Sequence, residues 1–251
     1  MITSQKNFSL YSDYYDLFYA DKDYKAEADY IFSIIETHGA EVNSILEFGC
    51  GTGGHAVFLC ERGLVVDGVE ISSEMISRAK QHENFSIHQG DVCSADMGKR
   101  YDLVMSIFHV ASYQTASEKI SSMFRNAARH LNSGGLFIFD YWFSGAVLTQ
   151  RPVVRVKRCD NERIKAVRIA EPSEDIAHSK VTVDYTILIE DTISGLTSQF
   201  FESHPMRHFS LYEIELLARS SGFEIIQTEE LVTKRVPSTD TWALCTVCRR
   251  T

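Results

Sequence analysis

The segment at residues 45–53 limits what this chain can fold into more than any other part of it. The sequence Ile-Leu-Glu-Phe-Gly-Cys-Gly-Thr-Gly starts as a short apolar run, which is typical of a buried strand. Gly49, Gly51 and Gly53 follow at alternate positions, and a helical stretch at 54–62 comes next. Glycines let the backbone turn sharply and approach a ligand closely. A strand, a glycine turn and a helix in this order predict a nucleotide-binding crevice.

Two acidic residues downstream indicate what such a crevice binds. Glu70 ends a second strand predicted at 64–69, where a carboxylate can accept hydrogen bonds from both hydroxyls of a ribose. Asp91 follows a third strand predicted at 85–89, where it can accept from the exocyclic amine of an adenine. The glycine spacing differs from that of phosphate-binding loops, and the loop contains no Lys or Arg to meet a phosphate. The sequence therefore predicts a ligand with an adenine and a ribose.

The order of the predicted elements favours a doubly wound parallel sheet. Strands alternate with helices over 44–141, after a segment at 9–38 whose apolar spacing is helical. The β-rich segment 150–209 interrupts this order and predicts an antiparallel sheet inserted after the fifth strand. Because ligands bind at the carboxyl ends of parallel strands, we expect the insertion to lie over those ends as a substrate wall. A dimer interface is the alternative for this insertion.

The C-terminal region is predicted to complete the sheet. Ser210 opens a last helix with the Ser-x-x-Glu capping pattern, and strands are predicted at 223–231 and 241–249. Cys245 and Cys248 lie three residues apart in the second of these strands, so their side chains should point to opposite faces. This arrangement disfavours a shared metal. No other metal-ligand spacing is visible, so the sequence predicts no metal site.

Composition narrows the class of protein. The chain has 251 residues, and its formal net charge of −9 argues against a general nucleic-acid binder, which needs a large basic surface. No apolar run approaches the ~20 residues that span a membrane, and the first residues have no signal-peptide core. We therefore expect a soluble, cytoplasmic protein without nucleic-acid or membrane partners.

The chain resembles class I S-adenosylmethionine-dependent methyltransferases over residues 40–143. The matching pieces are Glu47 with its glycine turn, Glu70, Gly90-Asp91, a fourth strand at Tyr101–Ser106, and a turn into the fifth strand at Leu131–Gly135. The resemblance implies an α/β fold with a Rossmann-like, seven-stranded sheet and helices on both faces. It also implies S-adenosylmethionine as cofactor, S-adenosylhomocysteine as product, and cofactor contacts from Tyr24, Glu47, Gly49, Cys50, Gly51, Glu70, Ile71, Asp91, Val92 and Ser106.

The resemblance also divides the chain. It implies one methyltransferase domain over 1–251, with a helical cap at 1–40, a cofactor-binding core at 41–149, the antiparallel insertion over the active site at 150–209, and the last helix and hairpin at 210–251.

The aromatic N-terminal segment resembles small bacterial N-methyltransferases that dimethylate the amine of nucleotide-linked aminodeoxysugars. In that resemblance Tyr15 faces the substrate and Tyr24 lies near the methionine end of the cofactor. Methyl transfer needs the nucleophile about 3 Å from the methyl carbon, and an amine must lose a proton on the way. His109 and Tyr113 directly follow the fourth strand, so together with Tyr15 they are the predicted catalytic residues. Ordinary packing is the alternative for each of them.

Three further residues are predicted to contact the acceptor. Trp142 closes the fifth strand, where the relatives have Glu-Pro-Trp-Trp-Phe, and core packing is its alternative. Arg155 belongs to the basic stretch 151–168, which can bind a substrate diphosphate or form a solvated face. Arg207 lies with His204 and His208 before the last helix, in a second candidate cluster.

The predicted function is transfer of a methyl group to a small-molecule amine, such as that of a nucleotide-activated deoxysugar. A small-molecule O-methyltransferase is an alternative, and it would make His109 an essential base. A non-catalytic protein of the same fold is another, although the intact Gly49, Gly51, Glu70 and Asp91 argue against it. The relatives also suggest a homodimer. The acceptor and the number of methyl groups added stay open.

Overall fold

The computed structural model describes residues 17–38 and 41–251, which form two compact units. The core unit consists of Asp23–Gln150 and His208–Thr251. The sheet unit consists of Arg151–Arg207 together with the described residues up to Lys22. Within the described residues, no helix combines the length and apolar character that a membrane crossing requires.

The core unit alternates strands and helices as predicted. Its elements are α1 (Tyr24–Thr37), β1 (Ser44–Phe48), α2 (Gly54–Cys60), β2 (Val65–Glu70), α3 (Ser73–Ser77), β3 (Phe85–Gln89), β4 (Tyr101–Ser106), α4 (Ser117–His130), β5 (Leu131–Phe143) and α5 (Ser144–Thr149). The strands β6 to β9 follow in the sheet unit: β6 (Arg155–Asp160), β7 (Ile164–Asp175), β8 (Lys180–Asp191) and β9 (Thr197–Phe209). The last elements of the core unit are α6 (Leu211–Ser220), β10 (Phe223–Glu230) and β11 (Ala243–Arg250).

Among the described residues, the core sheet has seven main strands in the order β3-β2-β1-β4-β5-β11-β10. The first five are parallel, whereas β11 runs antiparallel to β5 and β10 antiparallel to β11. The last two residues of β9 also pair with the end of β5. The parallel order confirms the predicted Rossmann-like fold, and it places the carboxyl ends of β1, β2 and β4 at one edge.

Both faces of this sheet are buried, because successive residues of a strand point to opposite sides. In β1, Ile45 belongs to one apolar cluster, whereas Leu46 and Phe48 belong to the other. The same alternation separates Cys248 from Cys245 in β11, one in each cluster. These thiols are therefore packing residues. Within the described residues, no group of three His, Cys, Asp or Glu side chains is placed to bind a metal.

The predicted N-terminal helical segment is interrupted. Within the described part of the predicted segment 9–38, residues 17 and 18 are helical, residues 19–23 form turn and loop, and α1 begins at Tyr24. It begins there because the side chain of Asp23 accepts a hydrogen bond from the backbone N–H of Ala26, as an N-cap does. Ile31 and Ile35 are buried on one side of the helix, as their spacing predicts.

The fifth strand is longer than predicted. The segment Leu131–Gly135, predicted as a turn, is already part of β5, where Leu131 pairs with Tyr101. The register then shifts before Leu103 pairs with Leu136, and Gly134 has a φ of +76°. The segment was predicted as a turn because this irregularity within the strand contains the glycines that are typical of turns.

The sheet unit contains the antiparallel strands predicted for 150–209, in the order β6-β7-β8-β9. Three β-rich runs were predicted, but the unit has a fourth strand, β9, and β7 extends to Asp175. Both extensions follow from pairing, because β8 provides a partner for almost every residue of its two neighbours. That this sheet covers the carboxyl ends of the parallel strands stays a prediction.

Candidate active site

The glycine loop joins β1 to α2 at the carboxyl edge of the sheet. Gly51 has a φ of +55°, a backbone conformation that L side chains rarely adopt. A Cβ atom placed on Gly51 would meet no atom within 4 Å. The N–H of Gly49 donates to the carbonyl of Val69 at 2.8 Å, which ties the loop to the end of β2. The loop is thus held from below and open on the side that Gly51 faces, where a ligand can approach its backbone.

Glu70, the last residue of β2, both supports this loop and can bind a ligand. Its two carboxylate oxygens accept hydrogen bonds from the backbone N–H groups of Gly51 and Ser72, each at 2.9 Å. Burial raises the pKa of Glu70, against these two hydrogen bonds, which act to lower it. Each oxygen keeps a second lone pair, which fits the hydroxyls of a ribose. The next side chain, Ile71, is 67% exposed and offers an apolar surface beside this acid.

Asp91 lies beyond β3 and already has protein partners. One oxygen accepts from the backbone N–H of Cys93 at 2.8 Å, and the other lies 2.6 Å from Nζ of Lys119. Partial burial acts to raise the pKa of Asp91, but the bonds from Lys119 and Cys93 outweigh it and lower the pKa. Val92 is buried, and its carbonyl accepts from Asn126. Asp91 is thus a charged acceptor at the predicted place, shared with a lysine.

Two predicted cofactor residues have side chains that face the interior. Ser106 is fully buried, and its hydroxyl donates to the carbonyl of Phe48 at 3.3 Å, which joins the ends of β4 and β1. Cys50 packs its sulfur so closely on Gly68 that a Cβ there would lie 2.4 Å away. Burial raises the pKa of the Cys50 thiol. The side chains of Cys50 and Ser106 therefore shape the loop, and only their backbones can face a ligand.

Glu47 belongs to a buried charged cluster that the sequence did not reveal. Its Oε1 lies 3.3 Å from Nδ1 of His55, and Nε2 of His55 donates to Oε2 of Glu27 at 2.6 Å. Burial acts to lower the pKa of His55, but the bonds to Glu27 and Glu47 outweigh it and raise the pKa to about 9. The other oxygen of Glu47, Oε2, is buried without a hydrogen-bond partner among the described residues.

Tyr24 packs against the same region of the loop. Its ring meets the ring of His55 edge-on, with centroids 5.1 Å apart. A Cβ on Gly54 would approach the Tyr24 ring to 2.6 Å, so residue 54 must be a glycine for this contact to form. Tyr24 is therefore adjacent to Glu47 and its cluster, beside the glycine loop.

His109 lies just after β4 in a strained backbone conformation. Both Phe108 and His109 have positive φ angles, 74° and 65°, which are unusual for residues with side chains. The backbone N–H of His109 donates to Oδ1 of Asp140 at 2.7 Å, and its ring Nδ1 lies 2.7 Å from Oδ2. The ring is turned away from the geometry of a linear hydrogen bond. Asp140 is fully buried, so this pair resembles the orienting carboxylate and imidazole of acid–base sites.

Trp142 and the turn that contains Tyr113 both lie beside His109. The Trp142 ring lies edge-on to that of His109, with centroids 6.2 Å apart. The backbone N–H of Trp142 donates to the Ser112 hydroxyl at 3.0 Å, which joins β5 to the turn after β4. Tyr113 belongs to that turn, and its N–H donates to the carbonyl of His109. Tyr15, the third predicted catalytic residue, lies outside the described residues.

The two predicted substrate arginines, which belong to two separate candidate clusters, lie on different strands of the sheet unit. Arg155 is on β6 and Arg207 on β9, with two strands between them. Four basic residues of the stretch 151–168 have partners in the unit. Three form ion pairs: Arg151 with Glu174, Lys157 with Asp21, and Arg163 with Asp191. The guanidinium of Arg168 lies over the aromatic rings of Phe18, Tyr19 and Tyr185. These partners account for four of the seven basic residues of the stretch, and its role in binding a substrate diphosphate stays a prediction.

The chain is similar in sequence to known proteins. A family profile described as "Methyltransferase domain" matches residues 45–135. The chain is 31% identical to the dTDP-3-amino-3,4,6-trideoxy-alpha-D-glucopyranose N,N-dimethyltransferase of Streptomyces venezuelae, over 86% of this chain and 90% of that protein. It is 27% identical to the dTDP-4-amino-2,3,4,6-tetradeoxy-D-glucose N,N-dimethyltransferase of Saccharopolyspora spinosa, over 70% and 72% of the two chains.

The fold also matches solved structures. A sugar N-methyltransferase from a Streptoalloteichus species superposes with a TM-score of 0.83, at 22% identity, over 100% of this chain and 97% of that one. The fold, the glycine loop and the acids that follow it define a class I S-adenosylmethionine-dependent methyltransferase. More particularly, the chain belongs to the methyltransferase family that contains the bacterial aminodeoxysugar N,N-dimethyltransferases.

S-adenosylmethionine is therefore the cofactor, and the described residues fit it. The lone pairs left on Glu70 suit the ribose, and the open side of Gly51 leaves room for the cofactor against the loop. The unpaired oxygen of Glu47 suits a cationic group.

Proposed function

We propose that this methyltransferase acts on the amino group of a nucleotide-linked aminodeoxysugar. The observation that carries the proposal is the 31% identity to a dTDP-aminodeoxysugar N,N-dimethyltransferase, which extends over 86% of this chain and 90% of the relative. A likeness of this extent reaches beyond the cofactor-binding loop, which by itself indicates only the cofactor.

His109 is the proposed general base. An amine of this kind is mostly protonated near neutral pH, and only its unprotonated form has the lone pair that attacks the methyl carbon. Asp140 lies 2.7 Å from Nδ1 of His109 and can stabilise a proton on that nitrogen. This leaves Nε2 to accept the proton of the amine. Asp140 thereby acts as a positioning residue for His109.

The remaining residues of the site act by holding and orienting. When bound, the cofactor supplies a methyl group on a sulfonium, an electrophile that needs no further activation. Glu70 and the Gly51 backbone fix the ribose side, and Trp142 provides an apolar wall beside His109. Holding the two reactants in line supplies much of the rate acceleration in such a displacement.

The test is a direct assay with a matched pair of acceptors. The protein is incubated with S-adenosylmethionine and a dTDP-linked aminodeoxysugar, or with the same sugar carrying a hydroxyl in place of the amine. We expect mass spectrometry to show one or two added methyl groups on the amine alone, which also counts the methyl groups transferred. The Glu70→Ala variant should be inactive, whereas Glu61→Ala, at an exposed acid on the end of α2, should behave like the wild type.

The alternatives are separate outcomes of this assay. Methylation of the hydroxyl sugar would favour the O-methyltransferase. A wild type that binds S-adenosylhomocysteine but methylates neither sugar would refute the proposed acceptor. A folded wild type that binds no S-adenosylhomocysteine would favour a non-catalytic role for the fold.

We also propose that the protein is a cytoplasmic homodimer with a small-molecule acceptor and no nucleic-acid or membrane partner. Val156, Leu188 and Phe201 are exposed apolar side chains, and the strand register puts them on one face of the antiparallel sheet. Such a face is typical of a surface that a second copy covers. Light scattering during size-exclusion chromatography measures the mass, and Phe201→Glu should shift a dimer to monomer. A wild-type monomer at micromolar concentration would contradict this proposal.

A further inference from the structure

The buried cluster of Glu27, His55 and Glu47 joins three elements of the core unit. Glu27 lies in the first turn of α1, Glu47 near the end of β1, and His55 in the first turn of α2. The side chains of His55 and Glu47 are 6% and 1% exposed, and that of Glu27 is 14% exposed. Such burial indicates a fixed arrangement, because the three side chains have little room to rotate.

The charge of the cluster follows from its geometry. Both ring nitrogens of His55 face a carboxylate oxygen, and each can make a hydrogen bond there only as a donor. The imidazole therefore carries both protons, and with two carboxylates the cluster has a net charge of −1. The imidazolium neutralises one acid and leaves a full negative charge to be matched by another cation.

Glu47 shows where that other cation would lie. Its Oε1 is used by His55, while Oε2 is buried and without a hydrogen-bond partner among the described residues. Leaving a buried carboxylate oxygen unpaired costs free energy, so a ligand that brings a donor is favoured there. Among the described residues, Glu70 and the thiols of Cys50 and Cys60 also interact electrostatically with Glu47, and none of them is a cation. The amino-acid end of the cofactor carries an ammonium, which is a donor and a cation.

We propose that His55 is a positioning residue, which together with Glu27 holds the Glu47 carboxylate so that its free oxygen receives the ammonium of the cofactor. The inference rests on the cofactor of the proposed function and not on its acceptor. His55 does not touch the reacting atoms. It fixes the rotamer of Glu47 from β1 while Glu27 fixes the ring of His55 from α1.

The test compares two ligands that differ at the amino-acid end. S-adenosylhomocysteine carries the ammonium, whereas methylthioadenosine has the same adenosine and sulfur without any amino-acid group. Calorimetry would measure both affinities in the wild type, His55→Gln and Glu27→Gln. We expect each substitution to weaken S-adenosylhomocysteine about tenfold and to leave methylthioadenosine unchanged. At position 55 the two N–H donors of a glutamine lie on one nitrogen and carry no positive charge, so glutamine replaces neither the opposed donors nor the charge of the imidazolium.

A control variant separates this role from simple docking of the helix. Tyr30, also on α1, donates a hydrogen bond to Glu229 on β10 at 2.9 Å. Glu229 is far from Glu47 along the chain. Tyr30→Phe removes a tie of the same helix, and it should leave both affinities as they are. Equal losses for the two ligands, or the same loss in Tyr30→Phe, would show a merely structural clamp and overturn the proposal.

Spectroscopy provides a second readout that does not depend on the variants. The ring N–H signals of His55 in nitrogen-edited NMR should shift when S-adenosylhomocysteine binds and move little with methylthioadenosine. Signals that respond equally to both ligands would refute a link to the ammonium. A wild type that binds neither ligand would refute the cofactor assignment, whereas binding without methylation of amino sugars would refute the acceptor and leave this inference standing.

Discussion

Gly51 and Gly63 offer a matched pair for testing the cofactor loop. Both have positive φ angles, +55° and +84°, and in both a Cβ would meet no atom within 4 Å. Gly51→Ala and Gly63→Ala should each cost about 1 kcal/mol of unfolding free energy, because the left-handed conformation strains an L side chain. Only Gly51→Ala should also abolish binding of S-adenosylhomocysteine, because its methyl group projects to the open side of the loop. Urea unfolding and calorimetry measure the two effects.

The comparison with Gly63 decides what a loss of binding means. If both variants lose affinity in proportion to their stability, strain alone explains the effect. If Gly51→Ala binds as well as the wild type, the open side of residue 51 is not where the cofactor lies.

His109 and Asp140 should differ in how they affect turnover. General-base catalysis contributes on the order of 100-fold, so we expect His109→Gln to lower kcat by about that factor with little change in S-adenosylhomocysteine affinity. Asp140→Asn should cause a smaller loss, because it keeps an oxygen for the His109 N–H. The activity of His109→Gln should recover as the pH rises, since the amine then loses its proton without help. An unchanged kcat would refute the base, and a pH-independent loss would indicate a structural role.

The charge on His55 predicts a pH dependence of stability. Its pKa is raised from 6.5 to about 9 in the folded chain by Glu27 and Glu47. A raised pKa stabilises the fold fully below the unfolded value, and this stabilisation is lost as the pH rises through the folded value. The stability advantage of the wild type over His55→Gln should therefore shrink between pH 6.5 and 9. Urea titrations of both proteins at several pH values measure it, and a constant difference would show that His55 is not charged.

Residues within one motif could be predicted from the sequence, but partners from distant segments could not. The glycine loop and Glu70 are recognised by their order along the chain. His55 directly follows the loop, yet nothing in its position indicates Glu27, which comes from another helix. Asp140 was visible at the end of the fifth strand, but its contact with His109 depends on the register of β4 and β5. Such pairings are set by the tertiary fold.

A capping box at the start of α6 stabilises that helix. Ser210 accepts from the backbone N–H of Glu213, and the Glu213 side chain accepts from the N–H of Ser210. Ser210→Ala should cost about 1 kcal/mol of unfolding free energy, because it leaves a helix N–H unpaired. Ser220→Ala, in the last turn of the same helix, is the control and should cost far less, since alanine favours helix. Equal effects would show that the capping box does not stabilise the helix.

Elements with a strong local pattern were predicted well. β1 is an apolar run followed by Gly49, β2 ends in Glu70, and β3 and β4 lie at the predicted residues. β9 was missed because Thr197–Phe209 mixes polar, aromatic and proline residues, and its pairing with β8 gives it strand structure. Tertiary pairing of this kind overrides local preference.

Ligand binding should stabilise the fold against unfolding by a calculable amount. A ligand that binds only the folded state at one hundred times its Kd adds about 2.7 kcal/mol of unfolding free energy. S-adenosylhomocysteine should do so for the wild type and not for Glu70→Ala, as thermal or urea unfolding would show. If the two units unfold in separate transitions, only the transition of the core unit should move. Stabilisation of Glu70→Ala to the same extent would place the ligand elsewhere.

The double use of Glu70 has a consequence for how this chain can change through evolution. The same carboxylate holds the N–H groups of Gly51 and Ser72 and presents lone pairs to the ribose. A substitution there removes the binding of the ligand and the support of the loop in one step. A gene copy that drifts away from catalysis while keeping the loop's shape is therefore under selection to retain the acid. An intact glutamate at this position is therefore expected in inactive proteins that keep this loop as well as in active enzymes.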